Sequence, residues 1–161
     1  MTQSEWIVCE RNGRWTAALR TAIARQDTPL TGNQPVHEVR NLPELSARLA
    51  ERHGALALVE VHRINIAETL SWLAEAGLMY PGARFVALVD RHQSDGTAQS
   101  DMAGALLAAG AVGVADSPRR LQHVLSVGRR HFASQGRMPD GVGENQSLAE
   151  WAWGLLPWQP A

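Results

Sequence analysis

Short apolar segments alternate with amphipathic helical patterns five times along this chain. The apolar segments are Trp6–Cys9, Val36–Val39, Leu56–Val61, Phe85–Val89 and Val112–Ala115. After each of them, apolar side chains recur at helical spacing. Strands that alternate with helices indicate a parallel sheet covered on both faces, because parallel strands need long crossover connections. We therefore predict a three-layer, doubly wound α/β domain with five parallel strands.

The last part of the chain has a different composition. Residues 1–133 carry the alternating pattern, whereas residues 134–161 begin with a Gly- and Pro-rich stretch that is typical of a linker. Ser147 and Glu150 then have the spacing of a capping box. They precede an apolar tail that contains Trp151, Trp153, Leu155, Leu156 and Trp158. We predict that this tail packs on the domain itself or docks onto a partner, and the sequence leaves both alternatives open.

Composition excludes several kinds of chemistry. All 15 basic residues are arginine, so mechanisms that need a lysine, such as a P-loop or a Schiff base, are excluded. Cys9 is the only cysteine, which excludes an intramolecular disulfide and a multi-cysteine metal site. The N-terminus lacks the pattern of a signal peptide, and no apolar run is long enough to cross a bilayer. We therefore predict a cytoplasmic protein without a membrane segment.

The charge pattern gives no signal for nucleic-acid binding. The formal net charge is -1, so the chain as a whole has no basic field. Arg119–Arg120 and Arg129–Arg130 flank the last helix, and aromatic residues do not interleave with them. We interpret these arginines as solvated ends of the helix and predict that nucleic acid is not the partner.

Titratable residues follow the predicted strands at the points where the strands end. They lie in the segments Cys9–Glu10, Glu60–Val61–His62, Val89–Asp90–Arg91–His92 and Asp116–Ser117–Pro118. In a doubly wound sheet the carboxyl ends of the strands share one edge, and ligands bind beyond that edge. The sequence therefore predicts one shallow cleft that is lined by carboxylates and imidazoles.

The stretches "WIVCE", "LALVE", "FVALV" and "GAVGVADSP" resemble the receiver domain of bacterial two-component response regulators, over residues 5 to about 133. This resemblance implies a flavodoxin-like sheet with strand order 2-1-3-4-5 and a role in signal transduction. In that family an acidic pair after the first strand holds magnesium, and an aspartate after the third strand is phosphorylated. The fourth strand ends in a threonine or serine, and the fifth in a lysine followed by proline.

The resemblance places each of these positions on a residue of this chain. The acidic pair falls on Cys9 and Glu10, the phosphoacceptor on Glu60, the hydroxyl on Val89, the switch aromatic on Val114, the lysine on Ser117 and the proline on Pro118. Val89 has no hydroxyl, and Ser117 cannot supply a cation for the phosphoryl group. Glu60 is one methylene longer than aspartate, which displaces the nucleophilic oxygen. We predict a degenerate pseudo-receiver that is not phosphorylated by the usual Asp/Lys/Mg route, with no cofactor beyond a weak magnesium site.

Three interpretations of Glu60 follow. It is a solvated remnant of a lost site, a permanent imitation of the phosphorylated state, or part of a different site. Glu10, Glu60, His62, Asp90 and His92 supply the carboxylates and imidazoles that transition metals bind. The alternative function is therefore a small metal- or ligand-binding α/β protein.

The predicted function is that of a stand-alone, non-enzymatic regulator that acts through protein–protein interaction. The resembling family often uses its fourth helix, fifth strand and fifth helix as a signalling and dimer face. The fourth helix of this chain carries small residues that allow close packing, at Gly104, Ala105, Ala108 and Ala109. We expect a protein partner or self-association at this face, at the tryptophan tail, or at both.

Overall fold

The computed structural model of the protein describes residues 5–26, 34–90 and 96–135, without the side chains of 96–99. Strands and helices alternate along these residues. The strands are β1 (Trp6–Cys9), β2 (Val36–Val39), β3 (Leu56–Val61), β4 (Arg84–Val89) and β5 (Gly113–Ala115). The helices are α1 (Arg14–Ala24), α2 (Leu42–Glu51), α3 (Ile66–Met79), α4 (Gly96–Ala108) and α5 (Leu121–Gln135). Short 3-10 turns, Arg63–Asn65 and Pro118–Arg120, lead into α3 and α5.

The strands form one parallel sheet in the order β2-β1-β3-β4-β5. The predicted fold class and strand order are confirmed. The order reverses between β1 and β3, so the carboxyl ends of these two strands flank the switch point at which ligands bind in folds of this type. Glu10 directly follows β1, and Glu60 is the last but one residue of β3. The sequence therefore brings both carboxylates to that point.

One face of the sheet packs against α2, α3 and α4. Ile7, Ala57, Val59 and Phe85 of the strands meet apolar side chains of the helices, among them Leu45, Leu49, Leu73 and Leu106. The alternate residues of the same strands face the other way, because successive side chains of a strand point to opposite faces. This alternation between two apolar faces explains why the strands are continuous apolar runs in the sequence.

The opposite face packs against α1 and α5. Trp6 lies fully buried there, and its indole meets the ring of Phe132 edge-on, with the ring centroids 5.2 Å apart. Gly128 allows this approach, since a Cβ atom at that position would overlap the Trp6 indole. The helix thus comes close to the sheet at the one point where its sequence has no side chain.

The ends of the elements agree with the sequence signals except in detail. Asn41 caps α2 by accepting a hydrogen bond from the Glu44 N–H, at 2.9 Å, and Gly110 has the positive φ of 113° that follows a helix end. Asn65 directly precedes α3, and an asparagine at this position is typical of an N-cap, but its side chain does not cap that helix. Its Oδ1 accepts instead from the His62 N–H, at 2.8 Å, because a 3-10 turn comes first.

The described residues end at Gln135, the last residue of α5. The predicted linker and tail, including the capping-box residues and the three tail tryptophans, therefore lie outside the described residues, apart from the last two residues of this helix. Within the described part of the chain, no helix is both long enough and apolar enough to span a membrane.

Candidate functional site

The carboxylate of Glu10 is a helix cap. The chain turns after β1 through Gly13, whose φ of 73° is in the left-handed region, and α1 begins at the next residue. This turn brings the first amides of α1 onto Glu10: Oε2 accepts from the Trp15 N–H at 2.8 Å, and Oε1 accepts from the Thr16 N–H at 2.5 Å. Gly13 has no side chain to cap the helix, so the buried Glu10 performs that role and also complements the positive end of the helix dipole.

Glu60, the penultimate residue of β3, lies next to this loop, and its carboxylate has two partners. Oε2 accepts from the Arg11 N–H at 3.0 Å, and the same oxygen lies 3.2 Å from Nε2 of His62. The Glu60 side chain is 9% exposed and that of His62 is 17% exposed. Glu60 is thus a largely buried carboxylate that joins the β1–α1 loop to the end of β3, and the interpretation of it as a solvated remnant does not describe its environment.

A cleft of about 140 Å³ lies at the carboxyl ends of β1, β2 and β3. Its walls come from the loops that follow these three strands: Cys9, Glu10, Arg11, Arg40, Asn41, Leu42, Pro43, Glu60, His62, Asn65 and Glu68. A cleft is present at the switch point with Cys9, Glu10, Glu60 and His62 in its walls, but the predicted residues after β4 and β5, such as Asp90 and Asp116, do not line it. It contains arginines as well as the predicted acids and imidazole, so its charge is mixed.

The side chain of Arg40 also binds the β1–α1 loop. Its Nη1 donates to the carbonyl oxygen of Arg11 at 2.7 Å and lies 2.6 Å from Oε1 of Glu38. Arg11 and Arg40 were not among the predicted site residues: Arg11 contributes through its backbone, and Arg40 follows β2, whose end was not considered. The signal was available: β2 lies beside β1 in the predicted order, so the residue after β2 must reach the same edge of the sheet.

Cys9 is a buried, protonated thiol. Burial, together with the nearby carboxylates of Glu44, Glu60 and Glu10, raises the pKa of Cys9 to about 12. Only the thiolate is a good nucleophile or metal ligand, so this side chain supplies neither at neutral pH. Its place in the cleft wall is that of a small apolar residue.

The remaining positions of the resembling pattern lie toward β4 and β5. Val89 is buried in the core beneath α2, α3 and α4, and Val114 packs against the same cluster. Ser117 precedes the 3-10 turn that starts at Pro118, and its side chain makes no capping hydrogen bond. No cis peptide bond occurs in the described residues, so the Ser117–Pro118 bond is trans.

The structure does not gather the five residues of the candidate metal site. Glu60 and His62 are in contact, but both oxygens of Glu10 are bonded to the amides of α1, and Asp90 pairs with Arg14 at 3.1 Å. His92 lies outside the described residues. Within the described part of the chain, no three residues of the His, Cys, Asp and Glu types are placed to hold a metal ion. The acidic pair also fits magnesium poorly, because it consists of a thiol and a carboxylate already occupied by two amides.

The topology and the position of the cleft define a doubly wound α/β domain of the flavodoxin-like class. No family model matches the sequence, and no curated protein is significantly similar to it. Two solved structures narrow the class to the CheY-like receiver fold. One is a CheY-like protein, TadZ, from Pseudomonas aeruginosa, with 17% identity, a TM-score of 0.60, and coverage of 80% of this chain and 98% of that chain. The other is a response regulator from Thermotoga maritima, with 20% identity, a TM-score of 0.61, and coverage of 83% and 99%.

Proposed function

We propose that this protein is a pseudo-receiver: a signalling protein that keeps the receiver fold and acts through protein–protein interaction, without phosphorylation by the usual Asp/Lys/Mg route. The receiver fold and the two solved structures that share it support the signalling role. The proposed role is binding rather than catalysis. A cytoplasmic location stays a prediction from the sequence.

The observation that carries this proposal is the state of Glu60. A carboxylate that attacks phosphorus must present an unhindered oxygen to the phosphodonor, in line with the leaving group. The contacts of Glu60 are the Arg11 N–H and the His62 imidazole, and its side chain is largely buried. Glu10, the neighbouring acid that would hold a metal, has both oxygens on backbone amides. Both oxygens of Glu10 and Oε2 of Glu60 therefore have structural partners.

The contacts of Glu60 also argue against a permanent imitation of the phosphorylated state. A negative charge changes the distant surface only if a responsive group has a different affinity for it in two conformations. Both partners of Glu60 lie next to β1 and β3, on the β1–α1 loop and after the end of β3. The positions that would respond to the charge, at the ends of β4 and β5, are Val89 and Ser117. Neither side chain is positively charged, and Val89 has no hydroxyl group. We infer a fixed scaffold rather than a switch.

The proposed contact surface is the face formed by α4, β5 and α5. Among the described strands, β5 lies at the edge of the sheet and pairs with β4, and the outer side of such a strand can bind a partner. Leu107 and Val112 are 50% and 43% exposed on this side. An open groove beside β5 is lined by Gly113, Val114, Arg119, Arg120, Gln122 and His123. Apolar side chains next to unpaired strand groups support a protein partner there.

The proposal is tested by incubating the purified protein with acetyl phosphate and Mg²⁺ and measuring its intact mass. We expect no phosphoryl adduct on the wild type. We also expect none on Glu60→Asp, because that change restores only the length of the acceptor and neither the cation nor the metal site. A conventional receiver treated in parallel shows that the reagent is active. A stoichiometric adduct that disappears in Glu60→Ala would refute the proposal.

No observation favours the metal-binding alternative. Its five residues are divided among a helix cap, a Glu–His pair and an Arg–Asp pair, with His92 outside the described residues. We therefore propose no second function.

A further inference from the structure

The two helical layers carry opposite charges on their outer surfaces. The layer of α1, α5 and the 3-10 turn before α5 exposes seven arginines: Arg14, Arg20, Arg25, Arg119, Arg120, Arg129 and Arg130. These three elements contain no aspartate or glutamate. Asp90 and Asp116, at the edge of the sheet, pair with Arg14 and Arg120, each at 3.1 Å. Arg20, Arg25, Arg119 and Arg130 are also exposed and give this surface its basic character.

The layer of α2, α3 and α4 has the opposite character. It exposes five acidic side chains: Glu44, Glu51, Glu68, Glu75 and Asp101. Arg48 and Arg52, which also belong to this side, are drawn inward by the buried carboxylate of Glu5, at 2.7 and 3.2 Å. Arg48 also lies 3.5 Å from the carboxylate of Glu51, so Glu44, Glu68, Glu75 and Asp101 carry most of the acidic charge of this layer.

The acidic layer also exposes apolar side chains. Ile64, in the 3-10 turn before α3, is 82% exposed, and Leu78 and Met79, at the end of α3, are 85% and 67% exposed. Exposed apolar area of this kind supplies a favourable term on association that does not weaken with salt. The acidic face thus carries both charge and apolar area.

We propose that the basic face of one molecule, formed by α1 and α5, docks on the acidic face of a second copy, formed by α2 and α3. The formal net charge of -1 shows that the chain carries nearly equal numbers of both charges, so its own acidic face complements its own basic face. The two faces lie on opposite sides of the sheet. The contact is therefore heterologous, and each complex leaves one face free at either end, so that further copies add in the same sense. The basic face shares α5 and the turn before it with the proposed partner surface, but this inference does not depend on whether Glu60 is phosphorylated.

Exposed ion pairs are individually weak, so the association is expected at high protein concentration and low salt. The measurement is the weight-average mass by sedimentation or light scattering over a range of concentrations. We expect the mass to rise above the 17.5 kDa of one chain at low ionic strength. It should return toward that value at about 0.5 M salt, where the Debye length is only a few ångströms.

Two charge-reversal variants test the geometry. Arg25→Glu/Arg130→Glu disables the basic face, and Glu68→Arg/Glu75→Arg disables the acidic face. Each variant alone should remain at the mass of one chain. A mixture of the two should associate in one-to-one proportion, because each variant supplies the intact face that the other lacks. Arg25→Lys/Arg130→Lys keeps the charges and should associate like the wild type.

Several results would overturn the proposal. One is a wild-type protein that stays monomeric at low salt, and another is a basic-face variant that still associates alone. A wild-type dimer that never grows further would indicate a symmetric interface in place of the heterologous one. Nucleic acid that binds the wild type and is lost in the basic-face variant, without any self-association, would assign the arginines to that other partner.

Discussion

Removing the carboxylate of Glu10 should destabilise the protein, although the same change removes one of two neighbouring acids from a cleft. We consider Glu10→Ala, which deletes the acceptor of the Trp15 and Thr16 amides at the start of α1. If Glu10 were only the remnant of an acidic pocket, its loss would relieve repulsion with Glu60 and stabilise the fold. The sign of the change in stability therefore separates a helix cap from a remnant pocket.

The magnitude follows from the two amides and their burial. Loss of an N-cap costs about 0.5–2 kcal/mol, and a buried amide left without an acceptor costs about 1–3 kcal/mol. Glu10 is only 2% exposed, so water reaches the freed amides only after a local rearrangement. We expect Glu10→Ala to lower the free energy of unfolding by about 2–4 kcal/mol. Glu10→Gln keeps one acceptor oxygen and loses the charge, so its cost should be about 1–2 kcal/mol.

The assay is urea unfolding followed by tryptophan fluorescence, because Trp6 and Trp15 are fully buried and report on the core. The matched control is Glu68→Ala, which removes an exposed carboxylate from the wall of the same cleft. This control should change stability by no more than about 0.5 kcal/mol. Hydrogen exchange of the Trp15 and Thr16 amides gives a local reading and should accelerate in Glu10→Ala.

The reasoning fails if Glu10→Ala unfolds at the same or a higher urea concentration than the wild type while both amides keep their protection. That result would mean that α1 is held by its packing alone and that the hydrogen bonds to Glu10 contribute nothing. Glu10 would then be interpreted as the remnant of an acidic pocket and not as a helix cap.

Three further predictions concern single side chains. Cys9, with its pKa raised to about 12 mainly by burial, should resist iodoacetamide in the native protein and react only after unfolding; rapid native alkylation would contradict this. Burial lowers the pKa of His131, so the unfolded state takes up the proton first as pH falls. The free energy of unfolding should therefore decrease below about pH 6.5, more steeply than in His131→Gln, and equal slopes of the urea midpoints against pH would refute it. Gly128→Ala, whose Cβ would overlap the Trp6 indole, should lower the free energy of unfolding by about 1–3 kcal/mol. Gly77→Ala, with open space around it, should raise the free energy of unfolding by up to about 1 kcal/mol. Both changes are measured from urea midpoints, and equal effects would refute the packing argument.

The fold could be predicted from the sequence because its signals are periodic and local. Strands buried on both faces appear as continuous apolar runs, and each helix shows its apolar side every three or four residues. The number of arrangements for five such strands is small once crossovers must be right-handed. The predicted start of β5 differs from the observed one by one residue: the strand begins at Gly113 rather than Val112. Val112 directly precedes the strand, and its N–H donates to the carbonyl oxygen of Phe85.

The site could be predicted in position but not in its contacts. The rule that strand ends share an edge located the cleft and its acids, Glu10 and Glu60. The partners of those acids are backbone amides of Arg11, Trp15 and Thr16, and every residue of a chain except proline has such an amide. Only the path of the loop decides which amides reach a carboxylate. Here that path depends on the positive φ of Gly13, which the sequence shows only as one glycine in "ERNGRW".

The contacts of the cleft together explain how this receiver fold holds its first loop. Glu10 binds the start of α1, Glu60 binds the Arg11 amide, and Arg40 binds the Arg11 carbonyl. In the resembling family the same region would be organised around a metal ion and would respond to a phosphoryl group. In this chain three side chains hold the loop and the start of α1 directly: Glu10, which follows β1, Glu60 of β3, and Arg40, which follows β2. These contacts hold the loop without a bound cation. A loop that is held by three side chains offers little freedom for a modification to act on, which agrees with the proposed role in binding rather than switching.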